Sequence, residues 1–298
     1  MKEYCTLIAT LPNLCNVEKV RKVLSCPEIS EARFNTGVAT LMDVNEVVSI
    51  LKKLSMQYSK RIWIDIKGRQ LKIIRWADPQ YEAIELNHQI SVVYPAQIYF
   101  RNGGFRNLVR VKGNKVIVDE PPEEAVGAGQ SVNIIARDLE VKGYLTELDK
   151  QYLEAGKKEK MNGVFASFVE KIEDLSEIAS IMPEAEIVSK IESLKGMELI
   201  SKTNIGNLMA ARDDLYLQTG QNYSMMEHLK TIIGVDSNAI CASRIFSSLE
   251  SKKAVDFADF SDLTLMYNLG YRRFMLCDNI CNYHFDEAIS AWGEFYYG

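Results

Sequence analysis

The chain has 298 residues, 47% hydrophobic and 25% charged, with a net charge of −5. That composition excludes collagen-like, disordered and disulfide-scaffold classes, and so mild a charge leaves no electrostatic footprint for nucleic acid or anionic lipid. No stretch approaches the roughly 20 apolar residues that span a bilayer, and Met1-Lys2-Glu3-Tyr4 carries an acid too early for a secretory signal, so a cytoplasmic protein is expected.

In chain order, strands are predicted at 5–10, 29–36 and 61–66. A helix at 16–24 takes Asn16 as its N-cap. A second, at 43–54, repeats Val44, Val47, Val48 and Leu51 at helical spacing, and Asp43 with Glu46 resembles a capping box. From 72 to 143 the pattern changes: strands at 91–100, 108–111, 115–118 and 131–135 are punctuated by Gly103-Gly104, Gly113-Asn114, Pro121-Pro122 and the glycines at 127 and 129. Alternation then resumes, with strands at 163–169, 185–191, 207–212, 238–242 and 272–277 and helices at 172–182, 197–203, 225–233, 257–269 and 286–295. Three strands before the β-rich stretch and five after it make the eight of a (β/α)8 TIM barrel, built from 1–71 and 144–298, with a small all-β domain, 72–143, inserted after strand three. An open doubly wound sheet fits the same alternation, but the count of eight favours the barrel.

The six cysteines form no CxxC pair, and Cys277 and Cys281 near His284 lack the second ligand pair of a structural zinc site, so reduced thiols are expected. The three histidines are scattered. Barrel sites lie at the C-terminal ends of strands. Those ends carry Arg33 and Asn35, Asp65 and Lys67, Lys190 and Glu192, Arg212 to Asp214, Ser243 and Arg244, and Asp278. Such charges are costly inside a core unless paired or ligated. Lys190 and Glu192, two apart on one strand, face the same way. Glu192 and Asp214 can then offer carboxylate oxygens to one hard cation such as Mg2+, and Lys190 and Arg33 suit an anionic substrate. From spacing alone, a metal-and-anion site and a rim of salt bridges fit equally.

At these residues the sequence resembles the pyruvate kinase family. VSKIESLKG (188–196) is similar to the family's SKIEN-x-x-G, and MAARDDL (209–215) to MVARGDL. EARFNTG (31–37), IDIKG (64–68), FASFVEK (165–171) and ICASRIFSSL (240–249) resemble ARLNFSHG, LDTKGPEIR, ASFVRK and ICATQMLESM, in the same order along the chain. VKGNKVIVDE (111–120) looks like GDKIYVDDG, a hairpin of the family's lid-like B domain. The resemblance implies that Lys190 stabilises a phosphoryl group in flight, that Glu192 and Asp214 hold Mg2+ or Mn2+, and that Arg33 contacts substrate phosphate. It further implies that Ser243 takes part in proton delivery to an enolate, that Asn35 and Asp65 face a monovalent cation, and that Lys72 stands for a site arginine. The implied ligand is phosphoenolpyruvate, pyruvate or a related oxo acid.

Departures from the family pattern are specific. The serine and histidine of NFSHG are missing, Thr36 and Gly37 following Asn35 directly; Arg69 and Gln70 replace a proline and a glutamate; and Leu276-Cys277-Asp278-Asn279 replaces LSGET. The first-strand TIGP motif becomes Thr10-Leu11-Pro12, and Asp213 stands where the family has glycine, which predicts repulsion of a substrate carboxylate unless metal or Arg212 compensates. K+ and nucleotide are therefore weakened expectations. The family's C-terminal regulatory domain is not expected in this chain, which leaves barrel helices, and Tyr296 with Tyr297, as candidate surfaces for a partner or for a homo-oligomer. Three readings follow: phosphoryl transfer between phosphoenolpyruvate and ADP; metal-dependent enolate chemistry on a 2-oxo acid, as in a lyase or aldolase; and a pseudoenzyme that binds a ligand or partner.

Overall fold

The computed structural model describes residues 4–38, 40–75, 83–101, 103–124, 126–136, 138–219 and 225–298. The chain opens with β1 (Thr6–Thr10), α1 (Val17–Ser25), β2 (Ile29–Asn35), α2 (Val44–Tyr58) and β3 (Arg61–Ile66). The insert supplies β4 (Ile73–Arg75), β5 (Ile84–Leu86), β6 (Ile90–Ser91), β7 (Gln97–Phe100), β8 (Gly104–Lys112), β9 (Lys115–Val118), β10 (Val132–Ile135) and β11 (Glu140–Val141). The chain then continues through α3 (Glu147–Lys158), β12 (Gly163–Ala166), α4 (Ile172–Ile181), β13 (Glu186–Ile191), α5 (Leu194–Lys202), β14 (Leu208–Ala211), α6 (Arg212–Thr219) and α7 (Met225–Val235). It closes with β15 (Ile240–Ala242), α8 (Ser248–Lys252), α9 (Phe257–Leu269), β16 (Arg273–Leu276), α10 (Asp278–Tyr283) and α11 (Phe285–Tyr297).

Eight parallel strands close a barrel in the order β1-β16-β15-β14-β13-β12-β3-β2. Side chains alternate along each strand, and the inward-facing residues stack in layers. The lower layer is apolar: Ile8, Trp63, Phe165, Val188, Met209, Ile240 and Met275 form one buried cluster. Trp63 and Phe165 stack there with centroids 4.6 Å apart. Gly163 leaves the room, since a Cβ on it would lie 2.7 Å from the Trp63 ring. Two residues further along the same strands the inward face turns polar, to Thr10, Asp65, Ser167 and Lys190, all buried. The outward face, with Ala32, Ile64, Ala166, Ile191 and Ala210, joins the barrel helices in the main core.

The insert folds as a six-stranded sheet, β10-β7-β8-β9-β5-β4, with a separate β11-β6 pair, around its own core of Ile84, Ile98, Phe100, Val116 and Ile134. Among the described residues it holds no helix. The strand expected over 91–100 is split into β6 and β7, with Pro95 between them; proline has no N–H to donate to a ladder. Asn16 caps α1 through Lys19 N. Asp43 caps α2 by accepting from Asn45 N, but the expected box with Glu46 does not form. Four helices were not foreseen: α3, α6, α8 and α10. The sequence of α3, ELDKQYLEAGKK, is mostly polar and its inward face is anchored as much by Asp149 as by Tyr152 and Leu153. Among the described residues no helix is long and apolar enough to cross a membrane.

Candidate functional site

The polar layer is built around Asp65, which is fully buried on β3. Its Oδ2 accepts from Arg33 Nε at 2.8 Å, Arg33 Nη2 at 2.5 Å and Lys67 Nζ at 2.9 Å, and its Oδ1 lies 3.6 Å from Lys190 Nζ. Burial alone would raise the Asp65 carboxyl, but the charges of Arg33, Lys190 and Lys67 hold it well below the usual carboxylate range. Burial pushes the Lys67 ammonium down to about 8 against the pull of Asp65. Lys190 stays charged because Asp65 and Glu192 outweigh its own desolvation.

Lys190 donates to Ser167 Oγ at 2.7 Å and lies 3.0 Å from Glu192 Oε1. Glu192 follows β13 directly, and its Oε2 accepts from the backbone N–H of Phe168 at 2.6 Å. Its Oε1 is buried with no hydrogen bond; the Lys190 contact is an ion pair outside hydrogen-bond geometry. Burial, with the nearby charge of Asp214 adding to it, pushes the Glu192 carboxyl up to about 7. Asp214 sits in the first turn of α6, half-buried, and its Oδ1 accepts from Asn133 Nδ2 of β10 at 3.1 Å.

These groups open onto a cleft of about 1210 Å³ between barrel and insert. Arg33, Asn35, Lys72, Lys190, Glu192, Asp214 and Ser243 all line it, so seven of the eight candidate residues meet in one place. Asp65 does not reach the cleft; it lies beneath, saturated by cations. Asn35 Oδ1 accepts from Gly37 N at 3.0 Å, and Lys72 Nζ donates to Gly37 O at 3.3 Å. Ammonium groups thus crowd the corner where a monovalent cation was expected: a Cβ on Gly37 would lie 2.5 Å from Lys72 Nζ and 2.8 Å from Lys67 Cε.

Ser243 and Arg244, just past β15, both take left-handed backbone, with φ of 67° and 62°. Non-glycine residues pay strain there, and such strain gathers at functional sites. Arg212 pins the turn, donating to Ala242 O and Ser243 O at 2.6–3.3 Å while pairing with Asp262 at 2.6 Å. Arg212 is therefore not the partner of Asp213. That carboxylate turns to Arg244 instead, 2.7 Å away and about half exposed.

Sequence reasoning assigned no role to Lys67, Ser167, Asn133 or Asp278. Lys67 was legible in principle, two residues beyond Asp65 on the same inward face. Asn133 was not, because nothing local signals that β10 docks against α6. All six cysteines are free. Among the described residues no group of three or more His, Cys, Asp and Glu side chains is arranged to hold a metal; the candidate donor set is the pair Glu192 and Asp214. That pair suits a hard divalent cation: both are carboxylates, one oxygen is buried without a hydrogen bond, and the charge of Asp214 adds to the burial that raises the Glu192 carboxyl.

Residues 80–278 match the family described as "Pyruvate kinase, barrel domain". The chain is 25% identical to pyruvate kinase PKLR of Homo sapiens over 87% of its own length and 53% of that protein. It is 24% identical to a pyruvate kinase of Borreliella burgdorferi over 86% of this chain and 60% of that one. It is 22% identical to a pyruvate kinase of Hypocrea jecorina over 62% of this chain and 37% of that one. The chain thus spans about half the length of the curated relatives it matches.

Proposed function

This chain belongs to the pyruvate kinase family, and we propose that its cleft binds a small 2-oxo acid on a divalent cation and stabilises the enolate. The observation that carries the reading is Glu192 Oε1, a buried carboxylate oxygen without a hydrogen bond, 3.0 Å from Lys190 Nζ in the cleft that Asp214 also lines. Glu192 and Asp214 are the residues that would hold Mg2+ or Mn2+, which when bound supplies Lewis-acid polarisation of the substrate carbonyl.

The chain's own groups supply the rest. Lys190, charged and aimed from a rigid strand, offers a fixed ammonium where oxygen charge develops; a preorganised cation in a buried site acts there without reorganisation. Lys67 adds positive charge beside it. Ser243, which lines the cleft on a strained turn, is the group we assign to passing a proton to or from the substrate's methylene carbon. Phosphoryl transfer between phosphoenolpyruvate and ADP is the most specific form of this chemistry, and the crowded cation corner and altered nucleotide-side residues argue that it is weak here.

The test is proton NMR of pyruvate in D2O with the native protein. Loss of the methyl signal should need Mg2+ or Mn2+ and should disappear in Lys190→Met. Pyruvate formation from phosphoenolpyruvate and ADP, run alongside, should be slow and change less than about twofold on adding K+. Absence of metal-dependent methyl exchange would overturn the oxo-acid reading; fast, K+-stimulated turnover would restore an ordinary kinase.

A further inference from the structure

Four cationic side chains, Arg33, Lys67, Lys72 and Lys190, reach the inner end of the cleft. Asp65 offsets them from below, fully buried and out of reach of a ligand. On the cleft side a second carboxylate is already in place. Asp278, the first residue of α10, sends Oδ2 to Arg33 Nη1 at 2.9 Å and accepts from Asn35 Nδ2 on Oδ1 at 2.9 Å. One carboxylate spanning a guanidinium and an amide is the arrangement by which a protein grips the carboxylate or phosphate of a ligand. Here the chain grips its own. The Asp278 side chain is 35% exposed, against 0% for Asp65, so of the two partners of Arg33 it is the one a ligand meets.

We propose that Asp278 is a specificity-determining residue: a resident anion that fills the Arg33–Asn35 seat, so that the cleft admits an oxo acid with a single carboxylate and turns away phosphorylated ligands. This rests on the reading of the cleft as an oxo-acid site and names its substrate class. A phosphate dianion entering the seat must either displace Asp278 from Arg33 or sit beside it. Like charges a few ångströms apart in a partly buried site cost about tenfold or more in affinity. A ligand with one carboxylate avoids that cost by leaving the seat to Asp278 and meeting Lys190 and Lys67, which also line the cleft.

The probe is inorganic phosphate, titrated calorimetrically into protein free of divalent metal and oxo acid, so that the outcome does not depend on the metal site. Native protein is compared with Asp278→Asn, which keeps the side chain's size and an acceptor for Arg33, and with Asp278→Ser, each checked for native circular dichroism. Glu250→Gln is the charge control: Glu250 lines the same cleft but holds Cys277 and Asn279 rather than a cation. Either Asp278 variant should bind phosphate at least about tenfold more tightly than native protein, with Glu250→Gln within about twofold of native. Three results overturn the proposal: native protein binding phosphate as tightly as the Asp278 variants, no binding in any of them, or an equal gain in Glu250→Gln.

Discussion

Arg33, Asp65, Lys67 and Lys190 illustrate how much one buried carboxylate can organise. Three cations converge on Asp65, which offsets much of the cost of burying them. Residue types and the two-residue stride of strands made most of this layer legible in sequence, because Arg33, Asp65 and Lys190 sit near the C-terminal ends of their strands. Partnership was not legible. Asp213 with Arg244, Arg212 with Ser243 O and Asp278 with Arg33 are contacts 31 to 245 residues apart in sequence.

Cys277 gives a test at this scale. It lines the cleft, and burial pushes its thiol up to about 12, with the Glu250 carboxylate that accepts its S–H adding to the rise. A raised pKa keeps the thiol protonated, and only the thiolate is nucleophilic. At pH 8 roughly one molecule in ten thousand carries the Cys277 thiolate. Mass spectrometry after iodoacetamide treatment at pH 8 should show exposed Cys15 alkylated and Cys277 spared. The Cys277 rate should climb about tenfold per pH unit above that. Labelling of Cys277 as fast as Cys15 at pH 8 would remove the buried, carboxylate-capped thiol.

Helix α3 shows why elements differ in legibility. Barrel strands announce themselves as short apolar runs, and α9 spans the residues expected, capped in the structure by Asp256 at its start and Gly270 at its end. The α3 segment has only a narrow apolar face, Tyr152, Leu153, Ala155 and Gly156 among charged residues, and its start is fixed by tertiary contacts. Asp149 closes a capping box with Thr146 and also accepts from the backbone N–H groups of Lys67 at 2.8 Å and Gly68 at 3.1 Å. Gly68 needs that support: its φ is +49°, and a Cβ there would lie 2.5 Å from Ser167 O. One side chain therefore joins the start of α3 to the turn that carries Lys67. Asp149→Ala removes a cap and orphans two buried N–H groups. It should cost about 2–4 kcal/mol in urea unfolding. A loss under about 0.5 kcal/mol would show that the turn is held by other contacts.

Nearby, Arg69 replaces the family's proline at the junction of barrel and insert. Its guanidinium makes a buried double contact with Asp174 and lies 5.0 Å from the centre of the Tyr144 ring. Breaking a buried pair by removing one partner costs more than replacing both, since it strands a charge. Arg69→Met should therefore destabilise the fold by about 3 kcal/mol, and adding Asp174→Leu should recover part of that loss. Equal stability of the single and double variants in the same urea assay would contradict the stranded-charge account.

At the scale of the whole molecule, barrel and insert meet through polar contacts at the very residues in question. Asn133 of β10 donates to Asp214, Gln218 of α6 donates to Asn133 Oδ1 at 3.2 Å and Ile134 O at 3.1 Å, and Lys195 holds Leu139 O at 2.6 Å. The eight-strand count and the position of the insert could be read from alternation alone. The docking could not, because it depends on Asn133, Gln218 and Lys195, polar residues that nothing in their sequence surroundings distinguishes from solvent-facing ones. A donor from the insert on one of the two candidate metal carboxylates means that the proposed cation site and the docked insert share a residue.

The central claim, a divalent site at Glu192 and Asp214, is tested most directly by calorimetric titration of Mn2+ into native protein and Glu192→Gln, whose folding is verified by circular dichroism. Native protein should show one saturable site that the amide variant loses, because glutamine keeps the shape and discards the charge that a hard cation requires. Equal Mn2+ binding by the two proteins, or no site in the native one, would contradict the claim and reduce the polar layer to a set of buried ion pairs.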